Sequence, residues 1–348
     1  MKKFILKILY FIIPFAIIMF INLKIDNAYI FKSDSTYDKF GKHLAEGNNI
    51  SNLYNYNEFL TRKYAIKHMK KSPEVICLGS SRVMQVNSSI FEDDFFFNMG
   101  VSAVSLKEVI ASYNVINVKG SIPKMVIIGI DPSFFLKDRN RLREYFQDDF
   151  NSIAQEYKLD KAVEIKYSKN KYIELISPIY CIENIKHGSK DISLVDNIFI
   201  NEPVLSSDGS YIYNIKKRNQ SNEAILQEAM SQYDSFFYER FNKKEIDPEL
   251  LILFRNFIKI IKVKSNVIIF FPPFHPYFAD KFNNDYNLKV INEIEQLLKK
   301  FAIDQNIEFV GSFKSKTNNY NLESFDFYDG VHPKRETVEM IFNTETYQ

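Results

Sequence analysis

The chain has no tryptophan, two cysteines, ten glycines and five histidines among its 348 residues. Cys77 and Cys181 cannot make the multi-bridge framework of a small secreted scaffold, and Cys77 stands in an apolar run where a thiol serves as a small buried hydrophobe. An excess of one charge is also missing, since 45 basic against 43 acidic residues leave a formal net charge of +2. Without a global positive field, nucleic acid is not expected as a partner. No Cys/His cluster has metal-ligand spacing and no glycine-rich loop has the form of a phosphate cradle, so neither a metal nor a cofactor is expected. Internal repeats and low-complexity tracts are absent. The excess of Lys, Asn, Ile, Tyr and Phe over Ala, Gly and Trp reads as compositional bias of the coding genome and carries no functional weight. What remains, 46% hydrophobic and 25% charged residues, is the make-up of a globular chain with a substantial core in one large domain or two small ones.

The N-terminus departs from that average. Met1-Lys2-Lys3 precedes the run "FILKILYFIIPFAIIMFINL", residues 4–23, in which Lys7 is the only charge. At about 1.5 Å per helical residue this run reaches roughly the 30 Å of a bilayer core, and Lys7 is near enough to its end to snorkel. A cleaved signal peptide would need a small-x-small site after it, whereas Lys24-Ile25-Asp26-Asn27 follows. The segment 1–26 therefore reads as an uncleaved, single-pass membrane anchor. Its flanking lysines favour an inside N-terminus with the C-terminal domain extracytoplasmic. Residues 27–72, polar and aromatic, read as a stalk or cap, with a loop over 45–59 and a helix over 59–69.

From residue 73 to 348 apolar runs alternate with helical spacing. The runs fall at 75–78, 95–97, 125–130, 267–271 and 307–310, and they are continuous rather than alternating, as suits strands buried on both faces of a parallel sheet. "SLKEVIASYNVINV" and "DYNLKVINEIEQLLKKF" have helical spacing of their apolar residues. Strands alternating with helices predict an α/β fold. Between about 133 and 249 the alternation dissolves into charged and aromatic segments, with a turn at Asp208-Gly209-Ser210 and a long helix over 221–241. This stretch reads as an insertion or lid on the sheet.

Two short stretches carry chemistry. "CLGSSRVM" puts Gly79, Ser80 and Ser81 at the end of the first body strand, where open α/β sheets place their ligands. "FYDGVHPKRET" puts Asp329 and His332 three residues apart in a loop marked by Gly330 and Pro333. A nucleophilic serine needs a base for its proton and a carboxylate to orient that base, and Asp-x-x-His supplies both from one turn. The serine-enzyme signature Gly-x-Ser-x-Gly fails here because Val83 stands in the place of its last glycine.

Gly79-Ser80-Ser81 after the first strand, Asn98-Met99-Gly100 after the second, Gly129-Ile130-Asp131 after the third and Asp329-Gly330-Val331-His332 near the end stand in the order of the SGNH, or GDSL-type, hydrolase blocks. The sequence resembles that family over residues 74–334. The resemblance implies a flavodoxin-like parallel sheet flanked by helices, with Ser81 as nucleophile, His332 and Asp329 completing the triad, and backbone amides of Ser81 and Gly100 in the oxyanion hole. Two positions depart from the family pattern. Ser80 stands where Asp is usual, and Asp131 stands where the family carries an oxyanion-hole asparagine. An ionised carboxylate cannot donate to an oxyanion and repels it, so Asp131 is protonated, or has a different job, or the hole is built from the Ser81 and Gly100 amides with another donor such as Asn98, which is the reading preferred.

The neighbours of these blocks have two readings each. Arg82 is a surface charge or a holder of an anionic substrate group, Ser81 a nucleophile or a helix cap, and Gly100 an amide donor or a permissive turn. His275, in the aromatic stretch "FFPPFHPYF", is part of a substrate wall, an alternative base or core packing. With the anchor, the resemblance implies a serine esterase or O-acyltransferase acting on a cell-surface polysaccharide or teichoic-acid-like polymer, beside a multi-pass membrane acyltransferase. The alternatives are a non-catalytic binding or assembly protein of the cell envelope and an enzyme of small lipid esters at the membrane.

Overall fold

The continuous apolar runs become parallel strands because helices cover both of their faces. The computed structural model describes all residues except 1, 28, 32, 54, 92–93, 121, 164–170, 189–191 and 346–348. Helices α1 (Lys2–Ile25) and α2 (Ser33–Ala45), strand β1 (Asn49–Ser51) and helix α3 (Glu58–His68) precede the body. The first half of the body runs β2 (Val75–Leu78), β3 (Phe96–Asn98), α4 (Leu106–Val118) and β4 (Met125–Gly129). An insertion follows, with α5 (Gln147–Glu156), α6 (Pro178–His187), β5 (Ser193–Val195), β6 (Val204–Leu205), β7 (Tyr211–Ile212), α7 (Ile215–Arg218), α8 (Asn222–Gln232) and α9 (Tyr238–Phe241). The chain returns to the sheet through α10 (Pro248–Lys262), β8 (Asn266–Phe271), α11 (Pro276–Asn284), α12 (Val290–Asp304), β9 (Glu308–Gly311) and α13 (Arg335–Glu345).

The main sheet is α/β in the expected sense, with parallel strands in the order β3-β2-β4-β8-β9. Side-chain alternation splits its burial between two cores. Ile76 and Leu78 of β2 join α4, α10 and α12 on one face, while Val75 and Cys77 join Val338, Ile341 and Phe342 of α13 on the other. β2 is the first body strand in the chain, with β3 on one side and β4 on the other. The chain direction therefore reverses at β2–β4, and their carboxyl ends flank the crevice where such sheets bind ligands. Ser105 starts α4 with a reciprocal capping box to Glu108.

The N-terminal segment and the insertion build one further sheet together. Its order is β5-β1-β6-β7, antiparallel, with Ile50 of β1 opposite Leu194 and Leu205. The expected turn at 208–210 lies against the edge of β3, where Asp208 accepts a 2.7 Å hydrogen bond from the Asn98 amide. Gly209, at φ +78°, lies so close that a Cβ there would stand 2.3 Å from the Asn98 carbonyl oxygen. The helix expected over 221–241 is interrupted: five residues, Tyr233–Phe237, widen into a π-turn between α8 and α9.

Helix α1 covers the apolar run of residues 4–23. Among the described residues no helix is long and apolar enough to cross a membrane. Within the expected anchor the backbone of α1 is described, but the side chains of residues 2–9 and 11 are not.

Candidate active site

The turn after β2 is shaped by its glycine. Gly79 has φ +153°, and a Cβ there would meet the Gly129 carbonyl oxygen at 2.9 Å and the Val83 side chain at 3.0 Å. Ser80 then caps a 3-10 turn, Ser81–Val83, by accepting from the Arg82 amide. This leaves Ser81 as the first residue of the turn, half-exposed at the carboxyl end of β2.

Ser81 Oγ lies 2.8 Å from His332 Nε2. His332 Nδ1 lies 2.8 Å from Asp329 Oδ2 and 3.0 Å from Oδ1. A carboxylate only accepts, so Nδ1 carries the hydrogen and Nε2 presents its lone pair to the serine hydroxyl. Asp329 Oδ1 also accepts from the Val331 and His332 amides, at 2.9 and 3.0 Å, so the carboxylate shapes the loop that carries its own histidine. Burial opposes ionisation of Asp329, but His332, the Val331 amide and Lys217 outweigh it and hold the carboxyl well below the ordinary range. The serine, base and carboxylate thus converge from two stretches some 250 residues apart in the chain.

The other expected residues fall elsewhere. Arg82 is 3% exposed and turned inward, donating to the Pro272 and Val331 carbonyls with its guanidinium 3.6 Å from the Phe274 ring centroid. It is therefore not a surface charge: Nε and Nη2 tie the His332 loop to the end of β8, while Nη1 is buried without a partner among the described residues. His275 is also buried; its Nδ1 accepts from the Tyr277 amide as the cap of α11, and burial pushes its pKa down to about 4. It supports the site indirectly, donating its own amide to the Gly330 carbonyl. The ring nitrogen that meets the Ser81 hydroxyl belongs to His332, not to His275.

The expected oxyanion donors are largely engaged. The Gly100 amide donates to Asn98 Oδ1 at 2.8 Å, and Asn98 Nδ2 donates to the carbonyls of Val83 and Val86. Both therefore bind the turn internally, and the Ser81 amide is the one expected donor without such an internal partner among the described residues. Asp131 does not act as a donor either. It caps the 3-10 turn Pro132–Phe135, accepting from the Ser133 amide and hydroxyl at 2.9 and 2.7 Å and from Ser80 Oγ at 3.4 Å. Burial works against its charge, but the guanidiniums of Arg82 and Arg240, with Ser133, lower its pKa.

Three insertion residues at the site escaped the sequence reading. Lys217 Nζ of α7 stands 3.8 Å from Asp329 Oδ2, Gln232 of α8 accepts from the Gly330 amide at 3.0 Å, and the Tyr213 ring lies 6.1 Å from that of His332. None belongs to a local motif. No group of three or more His, Cys, Asp or Glu side chains that could hold a metal ion occurs among the described residues.

No protein-family model matches the chain, and no curated protein matches it. Its chemistry is therefore argued from the site's own geometry.

Proposed function

We propose that the protein is an SGNH-type serine esterase or O-acyltransferase, with Ser81 as nucleophile, His332 as base and Asp329 as its orienting carboxylate. The observation that carries this reading is the hydrogen-bonded series from Ser81 Oγ to His332 Nε2 and from His332 Nδ1 to Asp329. In the reaction, His332 Nε2 takes the serine proton as Oγ attacks an acyl carbonyl. The imidazolium, supported by Asp329, then protonates the departing oxygen as its bond to the acyl carbon breaks. His332 then takes the proton of water or of an acceptor hydroxyl as that oxygen attacks the acyl-serine, and gives it to Ser81 Oγ as the acyl–Oγ bond breaks. The order of the strands, in chain order second-first-third-fourth-fifth, supports the flavodoxin-like arrangement of that family.

The same proposal puts the body outside a cell membrane, held by residues 4–23, with a surface polysaccharide or teichoic-acid-like polymer as acceptor and a multi-pass acyltransferase as partner. Exposed apolar side chains on the described part of α1, such as Ile13, Ile17 and Phe20, support the anchor. A second reading, a non-catalytic envelope assembly protein, draws on the internal engagement of Gly100 and Asn98, which leaves the oxyanion hole short of donors.

A fluorophosphonate probe separates the two. It is expected to label the protein at Ser81, and Ser81→Ala and His332→Ala are each expected to lose at least about a hundredfold of the labelling rate. Ser80→Ala should keep it. An unlabelled wild-type protein with its fold intact, or labelling that survives Ser81→Ala, overturns the catalytic reading.

A further inference from the structure

The insertion carries an apolar surface that no element covers among the described residues. The 3-10 turn Lys171–Ile176 and helix α6 expose Tyr172, Ile173, Ile176, Ile179, Ile182 and Ile185, five of them at a regular three-residue step. Ile179, Ile182 and Ile185 span about 120° of α6 at 100° per residue, an apolar stripe that a soluble helix turns toward its core. Here it is the outward face: Ile179 is 76% exposed, while the inward Tyr180 and Cys181 are buried.

This surface is welded to the end of α1. Asn22 Nδ2 donates to the carbonyls of Glu174, Leu175 and Ser177, and Asn184 Nδ2 donates to Asn22 Oδ1. Asn184 Oδ1 accepts from the Asn27 amide, and the Tyr180 hydroxyl donates to Asp26 at 2.8 Å. Asn22, Asp26 and Asn184 are buried, so this polar lock fixes α6 rigidly against the last turns of α1. Just N-terminal of the lock, α1 is apolar and exposed at Phe15, Ile17 and Phe20. The lock joins the isoleucine stripe to the C-terminal end of that exposed apolar part of α1.

We propose that the 171–187 segment is an interfacial membrane-docking element, its isoleucine stripe lying in the headgroup and upper acyl region of the bilayer that α1 enters. The inference rests on the anchor proposed above. Its occupant is a lipid surface, because Asn22 binds the segment directly after the exposed apolar side chains of α1 that the proposed anchor places in a bilayer. Docking at two points would fix the tilt of the body, and with it the height of Ser81 above the membrane. A single helical anchor followed by a flexible stalk would leave both free.

The absence of tryptophan provides a direct test. Full-length Ile182→Trp and Ile179→Trp are placed in vesicles of phosphatidylcholine and phosphatidylglycerol brominated either near the carbonyl end or near the centre of the acyl chain. Ile13→Trp reports on the anchor, and Ile303→Trp, exposed on α12 beside the opposite edge strand β9, is the aqueous control. For a side chain buried roughly 5–10 Å into the interface, quenching of about twofold is expected at 182 or 179, greater from the shallow bromines, with none at 303. Deep quenching at 13 with none at 179 or 182 overturns the docking element and leaves the anchor standing, the outcome expected if a membrane protein covers the stripe instead. No quenching at any position overturns both. Quenching at 182 without quenching at 13 overturns the proposal as stated, since the stripe would then meet a bilayer that α1 does not enter.

Discussion

Ser80 and Ser81 are neighbours of one chemical type with different partners. Ser80 Oγ accepts from the Arg82 amide and reaches Asp131, while Ser81 Oγ meets His332. Capping geometry decides this, since the residue before a helical turn folds its hydroxyl back on the turn and the first residue within it projects away. Asp131 shows the same logic. Asp131→Asn keeps an N-cap side chain, but removes the negative charge shared by Arg82 and Arg240. Labelling of Ser81 should persist, with a stability loss of about 1–3 kcal/mol in urea unfolding. Loss of labelling at unchanged stability would instead give Asp131 a part in the reaction. His275 makes a pH prediction. Its folded pKa of about 4 lies below the ordinary 6.5 because burial disfavours the imidazolium. The unfolded chain then binds the extra proton first, so the stability His275 contributes is full above pH 6.5 and declines as the pH falls toward 4. His275→Asn keeps the cap on α11 without the titration, and its melting temperature should fall less steeply from pH 7 to pH 5 than that of the wild type, which differential scanning calorimetry would measure.

At the scale of elements, the site depends on how the insertion meets the edge of the sheet. β3 is an edge strand only three residues long, and the 208–210 turn covers its open side by accepting from the Asn98 amide. That approach requires Gly209, both for its positive φ and for the 2.3 Å separation a Cβ would have from the Asn98 carbonyl oxygen. Gly209→Ala is expected to cost about 2 kcal/mol or more in urea unfolding, because strain and displacement of the turn add. The same substitution should slow Ser81 labelling, since Asn98 holds Val83, Val86 and Gly100 around the Ser81 turn. Slower labelling at full stability, or full labelling at reduced stability, would separate these two effects.

Across the whole molecule, Arg62 joins what the chain order separates. It is fully buried in α3, and its guanidinium donates to the carbonyls of Asn98, Gly209 and Glu58, binding the N-terminal segment, the sheet edge and the insertion at one point. Removing it leaves buried carbonyls without donors, a larger penalty than the loss of a surface ion pair. Arg62→Leu is expected to lose about 3 kcal/mol by urea titration. A loss no greater than that of an exposed lysine substitution would show that the three regions hold together without it.

Local pattern alone marked the strands of the main sheet and the Asp329–His332 pair within the site. The runs 75–78 and 267–271 are apolar at every position, as suits a strand covered on both faces, so β2 and β8 were legible before any packing was known. The pairing of Asp329 with His332 was equally legible, because three residues in a turn bring the two side chains together whatever surrounds them. The inward course of Arg82, the capping role of His275, the internal engagement of Asn98 and Gly100, and the arrival of Lys217, Gln232 and Tyr213 were decided by tertiary structure. Each depends on which distant carbonyl, amide or ring is nearest once the chain has folded, and an arginine or histidine beside a nucleophile has the same sequence whether it faces a ligand or a buried backbone carbonyl. Burial made the choice: a charged or polar group enclosed in the core must take the partners that packing brings to it.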